Sequence, residues 1–285
     1  MNEADFIAAL RKLPLHSGAR ELMDDCALIE IGDEVLVLNH DVMAEGTHFR
    51  PGADLADVAW KLVATNLSDL AAKGAEPVGA LLGHTLGEGD ERFLAGMHEA
   101  LSKFAVPLMG GDTIAATGPA QFGLTAIGRA THRPVPSRSG AGVGDAVYVT
   151  GILGRAMLGF EGVESHLEAF VRPFPRLEHG RALAPVVTAM MDVSDGLLLD
   201  SFRLATASAV TVALDREAIP VADPDRIDDA VRWGDDYELL FTAPANAVIP
   251  VEAYRIGTIE ARGEAPLTFG GVALADPEHL GYRHK

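Results

Sequence analysis

The sequence predicts a two-lobed α/β (α+β) protein, on three observations. Strand-like and helix-like segments alternate along the chain. Of its 285 residues 48% are hydrophobic and 22% charged, a balance that supports a packed core. One stretch rich in Pro, Gly and Ser, THRPVPSRSGAGVG, separates two runs that each contain both kinds of element.

The elements follow in order. CALIEI and EVLVLNHD read as strands, the second ending at Asp41, and ADLADVAWKLVATNLSDLAAKGA has helical spacing that stops at Gly74 and Pro77. FGLTAIGRA and DAVYVTG are strands on either side of the linker, so a boundary near Arg133 gives lobes 1–132 and 133–285. GAGVGD leads into a strand, which argues against a dinucleotide-binding turn. VTGILGRAMLGFEG sets Gly151 and Gly154 between a strand and a helix, where backbone has room to approach a ligand. AMMDVS then reads as a strand, DGLLLDSFRLATAS as a helix and YELLFTAP as a strand.

Charge narrows the partners. Lys+Arg 23 against Asp+Glu 41 leaves −18, the opposite of the field that attracts a nucleic-acid backbone, so no nucleic-acid partner is expected. Phosphate chemistry stays open to an acidic protein if divalent cations mediate. The single cysteine, Cys26, excludes an intramolecular disulfide and a cysteine zinc cage. MNEADFIAALRKLP has no secretory pattern and no apolar run approaches the ~20 residues of a membrane helix, so a cytoplasmic protein without a membrane partner is expected. G-x-x-x-x-G-K-[ST], H-R-D and D-F-G are all missing, which excludes P-loop and protein-kinase chemistry.

The informative residues are carboxylates at element ends: Asp24 and Asp25 before CALIEI, Asp41, Asp112 after Gly110 and Gly111, Asp192 and Asp195 around a strand-to-helix junction, and Asp235 and Asp236 before YELLF. Asn66 and Asp69 share a helix face with Leu62 and Lys73 and project together. Plainer readings stand beside these. Ser194 and Asp195 suit a helix cap, the two Asp pairs suit solvated turns, and His40, His48 and His84 suit ordinary strand or loop histidines. Asp69 is harder to explain that way, because its neighbours Leu67, Leu70, Ala71 and Ala72 are apolar and no arginine stands nearby in sequence.

Taken together, MDDCALIEI, HDVMAEGTHF, WKLVATNLSDLAAKGAEP, MGGDT, RSGAGVGDAVYVTGILG, MMDVSDGLLLD and GDDYELLFTAP resemble, in order and spacing, the thiamine-monophosphate kinase family of the aminoimidazole ribonucleotide synthetase superfamily. The resemblance spans nearly the whole chain. It implies ATP-dependent phosphorylation of thiamine monophosphate to thiamine diphosphate with several Mg²⁺ ions. It also implies a homodimer whose N-terminal lobes build a shared β-barrel. Position by position, Asp25, Asn39, His40, Asp41, Asp69, Asp112, Asp192 and Asp195 resemble metal-binding positions. Gly111, Asp112, Arg138 and Ser194 resemble ATP-binding positions. His48, Asp235 and Tyr282 resemble thiamine-phosphate contacts, and no residue is implied as a general base.

Several positions depart from the family. Asn39 and His40 replace Ser-Thr, which leaves backbone carbonyls in place of hydroxyl contacts to metal. Asp235 replaces Glu, Trp233 a small residue, Met23 a Gly, and Lys285 the usual terminal Phe. Two alternatives remain at this point: another ATP-using enzyme of the superfamily, or a catalytically silent nucleotide-binding homologue.

Overall fold

A computed structural model describes residues 3–284; Lys285 lies outside them. The chain forms two sheets in succession. The first holds β1 (Ala27–Ile31), β2 (Glu34–Ala44), β3 (Ala75–Thr85), β4 (Leu108–Ile114) and β5 (Gln121–Ala130), in the order β1-β2-β5-β3-β4. All its pairings are antiparallel except β3 with β4. The second holds β6 (Ala146–Val149), β7 (Ala189–Asp192), β8 (Thr211–Leu214), β9 (Leu239–Ala243), β10 (Tyr254–Glu260), β11 (Leu267–Phe269) and β12 (Val272–Leu274). Its order is β12-β11-β8-β10-β6-β9-β7.

Eight helices cover these sheets among the described residues: α1 (Glu3–Leu10), α2 (Leu55–Ala72), α3 (Asp90–Lys103), α4 (Arg155–Phe160), α5 (Leu167–Val171), α6 (Leu177–Leu183), α7 (Leu197–Ala207) and α8 (Ile227–Trp233). None is long and apolar enough to cross a membrane.

Helix α2 is central, and it is buried on nearly every side, its polar residues Lys61, Thr65, Asn66 and Ser68 included. Asp54 caps its start by accepting the Ala56 N–H at 2.9 Å, and Leu62, Val63, Leu67 and Leu70 are buried against the first sheet. Its far end packs on the second sheet, where Ala71 and Ala72 join Leu183, Met190, Leu239 and Phe241 in a seam between the two cores. The seam is tight. A Cβ on Gly180 of α6 would stand 1.9 Å from the Ala71 carbonyl oxygen, so only glycine lets α6 approach α2 there.

Strand β2 continues past the expected end. Asp41 is mid-strand, because pairing with β5 runs unbroken from Leu36–Arg129 to Ala44–Gln121. Alternation then assigns the faces: Val37, Asn39 and Met43 are buried toward the helices, whereas His40 and Val42 are exposed on the outer face. Asp41 shares the inner face with Asn39, and His40 points the other way.

Candidate active site

A cleft of about 1210 Å³ draws its walls from both sheets and is bordered by α1, by the C-terminal residues Gly281 to His284, and by the loops after β2 and β7. Its floor is acidic. Asp25 in the turn before β1, Asp69 on α2 and Asp192 at the end of β7 each offer a carboxylate oxygen, and the three oxygens lie within 4.8 Å of one another. Asp41 hydrogen-bonds to Asp69 from the neighbouring strand.

Burial favours the neutral acids, and mutual repulsion adds to it. Burial and then the Asp25 charge push Asp41 up to about 6 and Asp192 up to about 8. Asp69 is driven well above the ordinary carboxylate range by burial and by Asp41, Asp192 and Asp25. Local donors make up part of the balance. Asn39 Nδ2 donates to Asp69 Oδ2 at 2.7 Å and to Asn66 Oδ1 at 3.1 Å, and Ser68 Oγ donates to Asp192 Oδ2 at 2.6 Å. Asn39 Oδ1 is buried with no hydrogen-bond partner.

The aspartate pair Asp24-Asp25 is not a solvated turn. Their side chains are 2% and 0% exposed and are gripped by cations. Lys73 reaches Asp24 Oδ1 and Asp25 Oδ2 at 2.5 Å each, Arg20 reaches Asp24 Oδ2 at 2.5 Å, and Arg138 Nε donates to Asp25 Oδ1 at 2.7 Å. Burial alone would raise Asp24, but Lys73 and Arg20 outweigh it and hold that carboxyl well below the usual range.

The loop between β7 and α7 is built by Asp200. From the first turn of α7 its Oδ2 accepts the N–H groups of Ser194 at 3.2 Å and Asp195 at 3.1 Å, while Arg203 bridges Asp200 at 2.8 Å and Asp195 at 2.5 Å. Those two amides are therefore engaged within the loop. Asp195 faces the cleft as an arginine-paired carboxylate, and Tyr282 N–H donates to its carbonyl at 2.9 Å.

At the other end Lys61 pairs with Asp235 Oδ2 at 2.8 Å, Tyr237 Oη donates to Asp235 Oδ1 at 2.9 Å, and Phe160, Phe170 and Trp233 supply aromatic walls. Ala44 N–H donates to His48 Nδ1 at 3.1 Å, so the neutral ring carries its proton on Nε2. Burial and then His284, with rings 5.3 Å apart, lower the His48 pKa. Asp236, beside Asp235, is turned away and accepts Gly154 N–H at 2.9 Å.

The structure thus brings Asp25, Asp41, Asp69, Asp192, Asp195, Arg138, Ser194, His48, Asp235 and Tyr282 to one cleft, with Asn39 just behind it. His40 touches the rim, but its Nδ1 pairs with Thr125 Oγ1 at 2.9 Å on the outer face of the sheet. Gly111 and Asp112 are not brought there. They lie on β4, an exposed edge strand, and the register Val42–Gly123–Gly83–Asp112 puts Asp112 three strand steps, roughly 14 Å, from β2. Gly111 is needed locally, since at φ 150° a Cβ would stand 1.9 Å from the Leu82 carbonyl oxygen.

Residues 23–130 match the family described as AIR synthase related protein, N-terminal domain. The thiamine-monophosphate kinase of Salmonella typhimurium is 35% identical, over 91% of this chain and 85% of that protein. This chain belongs to the thiamine-monophosphate kinase family. It is thereby placed among phosphotransferases. The family member from Caulobacter vibrioides is 32% identical over 99% of this chain and 90% of its own length. Among solved structures, AaThiL complexed with AMPPCP and TMP superposes with a TM-score of 0.89 at 28% identity, covering 100% of this chain and 97% of that one. The thiamine-monophosphate kinase from Stenotrophomonas maltophilia gives 0.77 at 32% identity, covering 95% and 96%. The hydrogenase maturation protein HypE, at 20% identity and a TM-score of 0.67 over 84% of each chain, shares the fold alone.

Sequence reasoning missed Lys61, Lys73, Asp200 and Arg203 as parts of the site. Asp200 and Arg203 carry a legible signal, an i, i+3 pair on the helix that follows Asp195. Spacing puts Lys73 on the Asp69 face, but nothing in the sequence signals its pairing with Asp24, 49 residues away, or that of Lys61 with Asp235, 174 residues away.

Proposed function

We propose that this protein transfers the γ-phosphoryl group of ATP to the phosphate of thiamine monophosphate, in line and directly, to give thiamine diphosphate. The observation that carries the reading is the oxygen-only cluster of Asp25, Asp69 and Asp192. Such a set fits Mg²⁺, which prefers carboxylates, substrate phosphates and waters. The fit is supported by the raised proton affinities of Asp41, Asp69 and Asp192, which a divalent cation relieves, and by the unpartnered Asn39 Oδ1 beside them. Asp25, Asp41, Asp69 and Asp192 would hold the ions, with Asp195 at the edge of the set. Mg²⁺ held there would supply positive charge against the phosphate oxygens and the charge that develops between donor and acceptor.

The remaining work falls to the chain. Arg138, fixed against Asp25, and Ser194 line the cleft beside the acidic floor, which suits contacts to ATP phosphates. Lys61, Asp235 and His48 mark the acceptor end, and the aromatic walls there suit a flat cationic ring. A cleft of about 1210 Å³ exceeds the ~300–1,000 Å³ of a single small-molecule site, which supports two substrates side by side. The acceptor monoester is largely an oxyanion near neutral pH. No general base is required, and positioning two polyanions is the main task.

Gly111 and Asp112 enter this scheme through a second copy. The outer face and edge of the first sheet expose Val42, Leu81, Met109 and Ile114, which suits burial in a homodimer with a shared barrel; β4 of one protomer would then face the cleft of the other. The lobes 1–132 and 133–285 and a cytoplasmic setting complete the reading.

The test is stereochemical. With ATP made chiral at the γ-phosphorus by oxygen isotopes, direct in-line transfer inverts configuration in thiamine diphosphate. Retention would show a phosphorylated enzyme intermediate and overturn the direct route.

A further inference from the structure

Lys73 sits one helical turn beyond Asp69, and its side chain is 0% exposed. Its ammonium has three partners: Asp24 Oδ1 and Asp25 Oδ2 at 2.5 Å each, and the Met190 carbonyl at 3.2 Å. They come from two other elements. Asp24 and Asp25 form the turn before β1; Met190 lies on β7, two residues before Asp192. One cation therefore joins the three elements that carry Asp25, Asp69 and Asp192, the carboxylates whose oxygens converge within 4.8 Å.

Such a convergence of carboxylates is unfavourable without a counter-charge, because burial and repulsion both drive them apart or neutralise them. Arg138 braces the other Asp25 oxygen, but it comes from the linker and touches neither α2 nor β7 through a hydrogen bond. Among the described residues, Lys73 alone ties all three ligand-bearing segments.

We propose that Lys73 is a positioning residue for divalent-cation binding: it holds Asp25, Asp69 and Asp192 in their converged arrangement before any ion arrives. The inference rests on the reading that this triad binds Mg²⁺. Its consequence has a definite sign. A lysine that merely adds positive charge near the site repels Mg²⁺, so its removal tightens binding. A lysine that preorganises the ligands does the reverse.

The experiment measures Mg²⁺ binding to the nucleotide-free protein by titration calorimetry, for wild type, Lys73→Met and the pair Lys73→Met with Asp24→Asn. The pair removes one charge of each sign and keeps the buried balance if the single variant does not fold. Val212→Ala, in the core on β8 far across the second sheet, controls for a general loss of stability. Loss of a residue that orients a metal ligand weakens binding by about 10–100-fold, and that is the expected rise in dissociation constant for the Lys73 variants, with Val212→Ala unchanged. Unchanged or tighter binding in the Lys73 variants, or an equal loss in Val212→Ala, overturns the positioning role. No saturable Mg²⁺ binding by wild type would instead defeat the metal reading on which the inference rests.

Discussion

Replacing Asp69 with Asn is the most informative single perturbation, because the structure predicts opposite effects on folding and on metal response. In the ion-free protein Asp69 is half-buried at the cleft floor, holds its proton well above the ordinary range and shares a hydrogen bond with Asp41. An amide reproduces that neutral state: its oxygen can accept from Asn39, as Asp69 Oδ2 does at 2.7 Å, and its nitrogen can donate to Asp41. Ion-free stability should change by no more than about 1 kcal/mol, the net scale of one hydrogen bond. The response to Mg²⁺ should collapse. An ion present at about 100 times its dissociation constant stabilises the folded state by roughly 2.7 kcal/mol. For a protein of this size that corresponds to a Tm rise of about 4–5 °C. Scanning calorimetry with and without Mg²⁺ should show that rise in wild type and its loss in Asp69→Asn. Turnover should fall at least about 100-fold, since a ligand contributes no less than the residues that orient it. A variant with a normal Mg²⁺-induced Tm rise and near-normal turnover would refute the reasoning.

Other outcomes follow from the same geometry. Stability of the ion-free protein should fall as pH rises from about 4 to 8. Asp41 and Asp192 titrate at about 6 and about 8 in the folded state against 3.8 unfolded, so their contribution is complete below 3.8 and lost as pH rises through the folded values. For Asp41 alone the loss is about 3 kcal/mol. Asp24 acts oppositely, and only at lower pH, where protonation removes its contribution. Urea melts across pH should show the decline, and Mg²⁺ should flatten it; a flat ion-free profile would contradict the assignment. Glu238→Ala should destabilise by about 3–5 kcal/mol in urea melts, because it strands Arg176, bonded to both carboxylate oxygens at 2.5 and 2.8 Å, and leaves Thr150 without its acceptor. His48→Ala should raise the apparent KM for thiamine monophosphate and leave kcat largely intact; a fall in kcat at constant KM would give His48 a chemical role. Light scattering should report a dimer at micromolar concentration, and Val42→Glu with Leu81→Glu should convert it to monomers.

How much of this was legible from the residues differs from element to element. Helix α2 declares itself by spacing, and Asp69 stands out because nothing in the helix explains it. The strands β2, β5, β6, β7 and β9 were legible as apolar runs, although β2 extends three residues past Asp41 because β5 pairs along its whole length. The run MGGDT, noted for its aspartate, turns out to be strand β4, since the glycines that argue against a strand serve a close backbone approach to Leu82. The face that His40 presents depended on strand register, which periodicity gives only once the strand's limits are known. The counter-charges were hidden for a different reason. Lys73 and Arg138 find Asp24 and Asp25 across 48 to 114 residues, and a single sequence carries no signal for a contact at that range. Asp24 and Asp25 consequently looked like turn residues, although the fold buries both.

The most direct measurement of the central claim is product formation with all components present. Protein, ATP, Mg²⁺ and thiamine monophosphate are incubated, and thiamine nucleotides and adenine nucleotides are separated by chromatography. The account predicts thiamine diphosphate and ADP in equal amounts, with formation abolished by EDTA and restored by excess Mg²⁺. Absence of thiamine diphosphate, or ADP released without it, would contradict the account.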